Sequence, residues 1–294
     1  MTKKRIALLG KNDASVIALD ILSKEDVEIV LVSPNNSDSG EDNWQKSLKK
    51  RAQELKLNVK QFPKIKDNIS IEYLKSLDID FIFSVQYDQI VNQKIIDTAK
   101  FGAINLHFAP LPRYRGVSPI AFALINGEKE FGVTLHYMDP GVDTGDIINQ
   151  IFFDISNIEN ARSLYDLSVE KALQLFENEL GNILFLKNKR IPQDNTKALY
   201  YSHGSINFKE NKINFNKDTN NLYNWIRAFI FPPFQYPVFE LDGNRFEVVS
   251  VSPDYTKNKF EKPGTLIINE GNYFKFSTHD AYINLIVNDK NISN

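Results

Sequence analysis

From Ile6 to His107 the chain alternates short, almost wholly apolar runs with segments of helical spacing, and this alternation restricts the fold most. The runs are Ile6–Leu9, Val27–Val32, Val59–Phe62, Phe81–Val85 and Ala103–His107. Between them, Ala14–Leu22, Trp44–Leu57, Ile71–Leu77 and Val91–Ala99 have helical periodicity. A strand with no polar face must be buried on both sides, which is the situation in a parallel sheet covered by helices. Val133–Tyr137 and Ile147–Phe153 add two strands, and Leu164–Leu186 is the longest helical pattern. The expected fold is α/β: a Rossmann-like, mostly parallel sheet with helices on both faces.

The texture changes after Lys187. The stretch NKRIPQDNTK is polar and carries a proline, as a linker would. Leu222–Phe229 is one more helix. Pro237–Leu241 and Arg245–Val251 flank an Asp242-Gly243-Asn244 turn, a hairpin signal. Gly264–Asn269, Tyr273–Thr278 and Tyr282–Val287 continue the strand pattern. The expected organisation is a catalytic domain over 1–190, a linker over 191–205, and a small β-rich C-terminal domain over 206–294, one helix and then antiparallel strands.

Composition excludes several classes of function. There is no Cys, which removes disulfides, thiolate–metal sites and a Cys nucleophile. Four His (His107, His136, His203, His279) are scattered, so no metal is expected. Lys+Arg 35 against Asp+Glu 37 gives a net charge of −2, a poor basis for a broad nucleic-acid surface. No apolar run approaches the roughly 18 to 20 residues of a membrane span. The start, MTKKRIALLG, lacks the long apolar core of a signal peptide. A soluble cytoplasmic protein is expected. Lys11 and Asn12 follow the first strand in GKND, without the GxGxxG spacing of a dinucleotide site, and read as structural.

Chemistry concentrates in Phe101–Gly145. On the strand Ala103–His107, alternation turns Asn105 and His107 to one face and Ile104 and Leu106 to the other. The carboxyl end of such a strand is where open α/β sheets place ligands. Asn offers an amide donor to a developing oxyanion, and His can donate or take a proton near neutral pH. The loop Pro110-Leu111-Pro112-Arg113-Tyr114-Arg115-Gly116 carries two Arg suited to an anionic substrate. The loop Met138-Asp139-Pro140-Gly141-Val142-Asp143-Thr144-Gly145 brings two Asp near a ligand, and Asp143 could orient His107. Taken singly, each also reads as an ordinary strand end, surface loop or turn. Together they suggest an acid–base site and no more.

Their order and spacing resemble the folate-dependent formyltransferases. That family's pattern is Asn-x-His, then Leu-Pro-x-Tyr/Trp-Arg-Gly, then Asp-x-Gly-x-Asp-Thr-Gly. Here it runs through FGAINLHFAPLPRYRG and MDPGVDTG. The resemblance implies 10-formyltetrahydrofolate as formyl donor and Asn105, His107 and Asp143 as catalytic residues. Asn105 and protonated His107 would stabilise the oxyanion, while Asp143 holds His107 and shuttles a proton. It implies pterin contacts at Gln89, Ile90, Val91, Met138, Asp139 and Gly141, and a cis Leu111–Pro112 bond.

Among the branches, SVQYDQIV (Ser84–Val91) and SGEDNWQKSL (Ser39–Leu48) look most like the sugar N-formyltransferases. The acceptor implied is a dTDP-linked amino-dideoxy sugar of the 4-amino-4,6-dideoxyglucose type, destined for a surface polysaccharide such as O-antigen. Tyr114, Arg115, Asn224, Arg227 and Phe231 are its candidate contacts. A homodimer through the C-terminal domain is expected. A methionyl-tRNA formyltransferase is the alternative, weakened because SPNNSDSGEDNW is acidic where that branch carries a basic loop for phosphates. An inactive nucleotide-sugar binding protein and a Rossmann-like oxidoreductase are the others.

Overall fold

The computed structural model describes residues 3–256 and 261–288 of the chain. It forms two compact units that interleave along the sequence. The first holds the described residues up to Gly116, then Gly132–Phe152 and Ser168–Tyr200. The second holds Val117–Phe131, Phe153–Leu167 and the described residues from Tyr201 on.

The elements run in chain order β1 (Lys4–Gly10), α1 (Asn12–Leu22), β2 (Val27–Pro34), α2 (Leu48–Glu54), α3 (Asn68–Ser76), β3 (Ile79–Val85), α4 (Gln93–Ile96) and β4 (Ala99–His107). They continue with β5 (Arg115–Gly116), α5 (Pro119–Ile125), β6 (Glu130–Tyr137), β7 (Ile147–Asp154), α6 (Ala161–Leu184), β8 (Tyr200–Tyr201) and α7 (Thr219–Phe229). Last come β9 (Val238–Leu241), β10 (Asn244–Asp254), β11 (Leu266–Glu270), β12 (Tyr273–Ser277) and β13 (Tyr282–Val287).

The main sheet has the order β2-β1-β3-β4-β6-β7. Its first four strands are parallel, and β6 runs antiparallel to β4. All seven residues of β3 are buried, as the unbroken apolar run IDFIFSV requires of a central strand. On one face Ala7, Leu9, Ile82 and Ala103 join Ile71, Leu74, Ile95 and Ile96 from α3 and α4 in a core. On the other, Phe83 meets Phe176 of α6 edge-on, ring centroids 5.2 Å apart.

Three expected elements differ. Val59–Phe62 makes only a single bridge, Val32 to Val59, and is no strand. The helix expected over Trp44–Leu57 begins at Leu48. The amides of Gln45 and Lys46 are taken by the side chains of Asn43 and Asp13, and Ser47 then caps Lys50 N at 3.0 Å. The helix expected over Val91–Ala99 is a single turn from Gln93, capped by Asn92. The apolar residues after it already belong to β4. The helix Pro119–Ile125 carries little periodic signal and was not expected.

In the second unit a five-stranded antiparallel sheet has the order β11-β12-β13-β10-β9. Leu222 and Ile226 of α7 pack with Phe239, Phe274, Phe276, Ile283 and Leu285. Asp242 and Gly243 both have positive φ, the two-residue turn that matches strand twist in the β9–β10 hairpin. The 206–294 segment expected to be a separate domain includes 257–260 and 289–294, which lie outside the described residues. No helix among the described residues is long and apolar enough to cross a membrane.

Phe176 is wholly buried against Phe83. Phe176→Ala should cost about 3–5 kcal/mol of stability, the range for an aromatic deleted from a core. A urea unfolding midpoint unchanged from wild type would contradict this packing.

Candidate active site

The site begins with the register of β4. Ala103 lies in the α3/α4-side core, so alternation turns Asn105 and His107 to that same face, beyond the core's edge. Antiparallel pairing with β6 sets His136 directly opposite Asn105. Cross-strand partners share a face, so His136 joins the two polar groups.

Two loops complete the cluster. Met138 N bonds Ala103 O at 2.8 Å, which starts the loop between β6 and β7 beside β4. Asp139 closes that loop on itself, accepting from Gly141 N at 3.0 Å and Thr144 Oγ1 at 2.5 Å. Gly145 is there for space: a Cβ would fall 2.0 Å from the Tyr137 carbonyl oxygen. Asp143 adopts φ 54°, a left-handed conformation that Asp tolerates better than most residues.

Asp143 is where the groups converge. Its Oδ1 lies 3.4 Å from Asn105 Nδ2, 3.7 Å from His107 Nδ1 and 3.6 Å from His136 Nε2. Its Oδ2 accepts from Gly116 N at 2.9 Å. Burial alone would raise the carboxyl pKa. Charge attraction to His107, with the hydrogen bond from Gly116 N, outweighs burial and holds the carboxyl well below the usual carboxylate range.

The two imidazoles are anchored differently. His107 Nε2 meets the Tyr114 carbonyl at 2.9 Å, and His136 Nδ1 meets the Tyr137 carbonyl at 2.8 Å. A carbonyl only accepts, so these two nitrogens carry the hydrogen. His107 Nδ1 and His136 Nε2 are then the nitrogens left to face Asp143.

The loop 108–116 is held by Thr134. Its Oγ1 donates to Ala109 O at 2.7 Å and accepts from Leu111 N at 3.1 Å. The Leu111–Pro112 peptide is cis. Tyr114 is 1% exposed, and its carbonyl serves His107. Arg115 is 7% exposed; its Nη2 donates to Gln193 Oε1 at 2.7 Å and to Asn195 Oδ1 at 2.8 Å. Gln193 in turn donates to the carbonyls of Asp143, at 2.9 Å, and Gly145, at 2.7 Å. A residue of the expected linker thus braces the loop that carries Asp143.

The expected pterin contacts divide in two. Gln89 spends its side chain inside the unit, Nε2 donating to Phe62 O at 2.7 Å and Oε1 accepting from Ile65 N at 2.8 Å. Ile90 is 74% exposed while Val91 is buried, so the chain is open at Ile90. Tyr87 and Met138 pack on the core that includes Ala103, which sets both loops beside the face that carries Asn105 and His107. Asn224, Arg227 and Phe231 belong to the second unit. There Asn224 is buried against Gly127, where a Cβ would meet its Nδ2 at 2.9 Å. Arg227 Nη1 donates to Ile158 O at 3.1 Å, and burial lowers its pKa. Phe231 packs on Tyr165, ring centroids 5.5 Å apart.

Sequence reasoning missed His136 and Gln193. A signal for the first existed: His136 sits at an alternate position in the strand before the MDPGVDTG loop. Gln193 gives none, because its role depends on a loop far away in sequence.

Comparison with known proteins gives three findings. Residues 4–179 match the family described as formyl transferase, and residues 205–289 match the formyl transferase C-terminal domain. A methionyl-tRNA formyltransferase of Staphylococcus aureus is 32% identical over 269 residues, 91% of this chain and 84% of that protein. Among solved structures, an N-formyltransferase from Helicobacter canadensis, in complex with folinic acid and dTDP-3-aminofucose, is 30% identical with a TM-score of 0.79, covering 98% of this chain and 100% of that one. WlaRD, a sugar 3N-formyl transferase with dTDP and 5-N-formyl-THF, is 31% identical with the same TM-score, covering 98% of each chain. A 4-N formyltransferase from Francisella tularensis is 26% identical with a TM-score of 0.66, over 82% of this chain and 95% of that one.

A carboxyl held low in the native state stabilises the fold above its unfolded value of about 3.9 and loses that contribution as pH falls below it. The stability of wild type should therefore fall more steeply below about pH 4 than that of Asp143→Asn. Denaturant midpoints measured between pH 6 and pH 3 test this; parallel curves would refute it.

Proposed function

Because this chain belongs to the formyl transferase family, we propose that it transfers the formyl group of 10-formyltetrahydrofolate to the amine of a dTDP-linked amino-dideoxy sugar. The observation that carries this reading is the convergence of Asn105, His107 and His136 on the Asp143 carboxylate in a chain of this family. The fold relatives that span nearly the whole chain, and whose names state a dTDP ligand, support the acceptor class. Their greater likeness supports an amine at the 3-position, while the 4-position expected from the sequence has its support in a more distant relative.

The residues fit a folate co-substrate. A pterin is read by backbone amides and carbonyls, and the exposed chain at Ile90 and at Gly141–Val142 flanks the catalytic face. The stretches Gln89–Val91 and Met138–Gly141 would hold it, and bound there it supplies the formyl group. Asn105 Nδ2 and His107 offer hydrogens to the formyl oxygen as it gains negative charge under attack by the sugar amine. Asp143 holds the His107 ring and, through a water, takes the proton that the amine must lose; collapse of the tetrahedral adduct then breaks the formyl C–N bond to the folate, whose departing nitrogen takes that proton back, leaving tetrahydrofolate and the N-formyl sugar. Oriented groups with little freedom to move are what this step requires.

A methionyl-tRNA acceptor is the second reading, favoured by the sequence relative named above. The loop carrying Asp38, Glu41 and Asp42 speaks against it, because acidic residues there add negative charge where a phosphate backbone calls for Lys and Arg. The amino-sugar reading also gives the chain a place in surface-polysaccharide synthesis in the cytoplasm, as a homodimer through its C-terminal strands. Light scattering that returned the mass of one chain at micromolar concentration would sink the dimer.

The test is a mass-spectrometric assay with 10-formyltetrahydrofolate and a panel of dTDP- and UDP-linked 3-amino and 4-amino sugars. A gain of one formyl group on a dTDP-linked 3-amino sugar is expected. No gain on any sugar, with formylation of methionyl-tRNA, would transfer the function to the second reading. In the same assay His107→Ala and Asp143→Ala should each lose on the order of a hundredfold in kcat, the usual scale for a positioned acid–base group. Near-normal turnover in either would remove that residue from the mechanism.

A further inference from the structure

We propose that His136 is a positioning residue that keeps the donor end of the Asn105 carboxamide turned toward Asp143. The inference rests on the formyl-transfer reading of the site.

An asparagine side chain can present either its oxygen or its nitrogen by a half-turn of the amide, and only the nitrogen can donate to an oxyanion. Something in the site must therefore choose. The register of β4 and β6 sets His136 opposite Asn105, and the ring is 1% exposed. His136 Nδ1 lies 2.8 Å from the Tyr137 carbonyl, so Nδ1 carries the hydrogen. In the neutral ring Nε2 is then an acceptor, 3.3 Å from Asn105 Nδ2. Asp143 Oδ1 is a second acceptor, 3.4 Å from the same nitrogen.

Nitrogen and oxygen of an amide are told apart by such a network. With the nitrogen inside, its two hydrogens meet two acceptors. With the oxygen inside, its lone pairs would oppose those of Nε2 and of a carboxylate. The choice is made by repulsion as much as by attraction. Both bonds are at the long end of the hydrogen-bond range. A nearer oxygen that gains negative charge can therefore take one hydrogen while the other keeps the amide plane fixed. Asp143 alone would leave the amide with one tether. The backbone carbonyl of Tyr137, through the His136 ring, supplies the second.

Three measurements test this. In wild type, with Asn side chains labelled with nitrogen-15 and Asn105 assigned by its loss in Asn105→Ala, the Asn105 amide hydrogens should exchange with solvent at least tenfold more slowly than those of an exposed Asn. Exchange at the exposed rate would overturn the proposal whatever the enzyme's substrate proves to be. In His136→Phe, which keeps a ring and removes Nε2, that protection should disappear. Its kcat should fall by on the order of tenfold to a hundredfold, less than loss of the donor itself. KM for folate and for the amino sugar should stay within about twofold, as expected when only transition-state stabilisation is lost. His136→Gln, whose amide oxygen can accept where Nε2 did, should recover most of the rate.

The double-mutant cycle is decisive on role. In an Asn105→Ala background, His136→Phe should cost little further, because its partner is gone. An equal fold-loss in both backgrounds would show that His136 serves only the fold, and the proposal would fail. If wild type formylates no amino sugar, the acceptor reading fails on its own, and the exchange measurement still decides the inference about His136.

Discussion

One carboxylate organises the first unit's polar cluster. Asp143 sits on a loop that leaves β6, turns sharply through a left-handed residue, and returns across the end of β4. From there it faces an amide and two imidazoles, and it receives the Gly116 amide from the loop that follows β4. A buried charge of this kind is tolerated only when it is surrounded by donors and opposite charge. The site is therefore self-consistent only when assembled whole. Removing the carboxylate strands two imidazole nitrogens; removing an imidazole leaves the carboxylate less compensated. The glycine at 145, the serial bonds of Asp139 and the brace from Gln193 all serve to deliver one side chain to one place.

Much of this was legible in the sequence. Periodicity alone located the strands that build the sheet, because a run such as FIFSV admits no polar face. The Asn105–His107 pair followed from strand alternation, and the MDPGVDTG loop followed from its turn chemistry. The resemblance to formyltransferases then gave these residues roles. Illegible parts share a cause: they depend on contacts between distant segments. Val59–Phe62 has the composition of a strand but finds one bridge instead of a ladder. Trp44–Ser47 has helical spacing, yet its amides are claimed by Asp13 and Asn43 before a helix can start. His136 sits at an alternate position of its strand, but that it joins Asn105 follows only from the register of β4 on β6.

The loop residues offered as substrate contacts illustrate the same point in chemical terms. Arg115 belongs to a residue class that suits phosphates. In the unit, however, its guanidinium is turned to the amide oxygens of Gln193 and Asn195, and through Gln193 it supports the carbonyls of the catalytic loop. An arginine that donates to neutral oxygens in a buried place acts as a rigid spacer with several donors. Its charge then matters less than its planarity. The polar stretch NKRIPQDNTK, read as a linker by composition, likewise holds a structural member of the site.

The opposite anchoring of the two imidazoles has a consequence for proton traffic. His107 is tied to a backbone carbonyl through Nε2 and His136 through Nδ1, so each ring turns its other nitrogen toward the same carboxylate, and that of His136 also meets Asn105 Nδ2. A proton lodged among these three groups has three nearby homes, and none requires a ring to rotate. Relocation among them is a shift of a few ångströms inside one buried enclosure. The enclosure can thus change its charge while its own skeleton stays still, like a relay whose contacts are wired into two strands of the sheet.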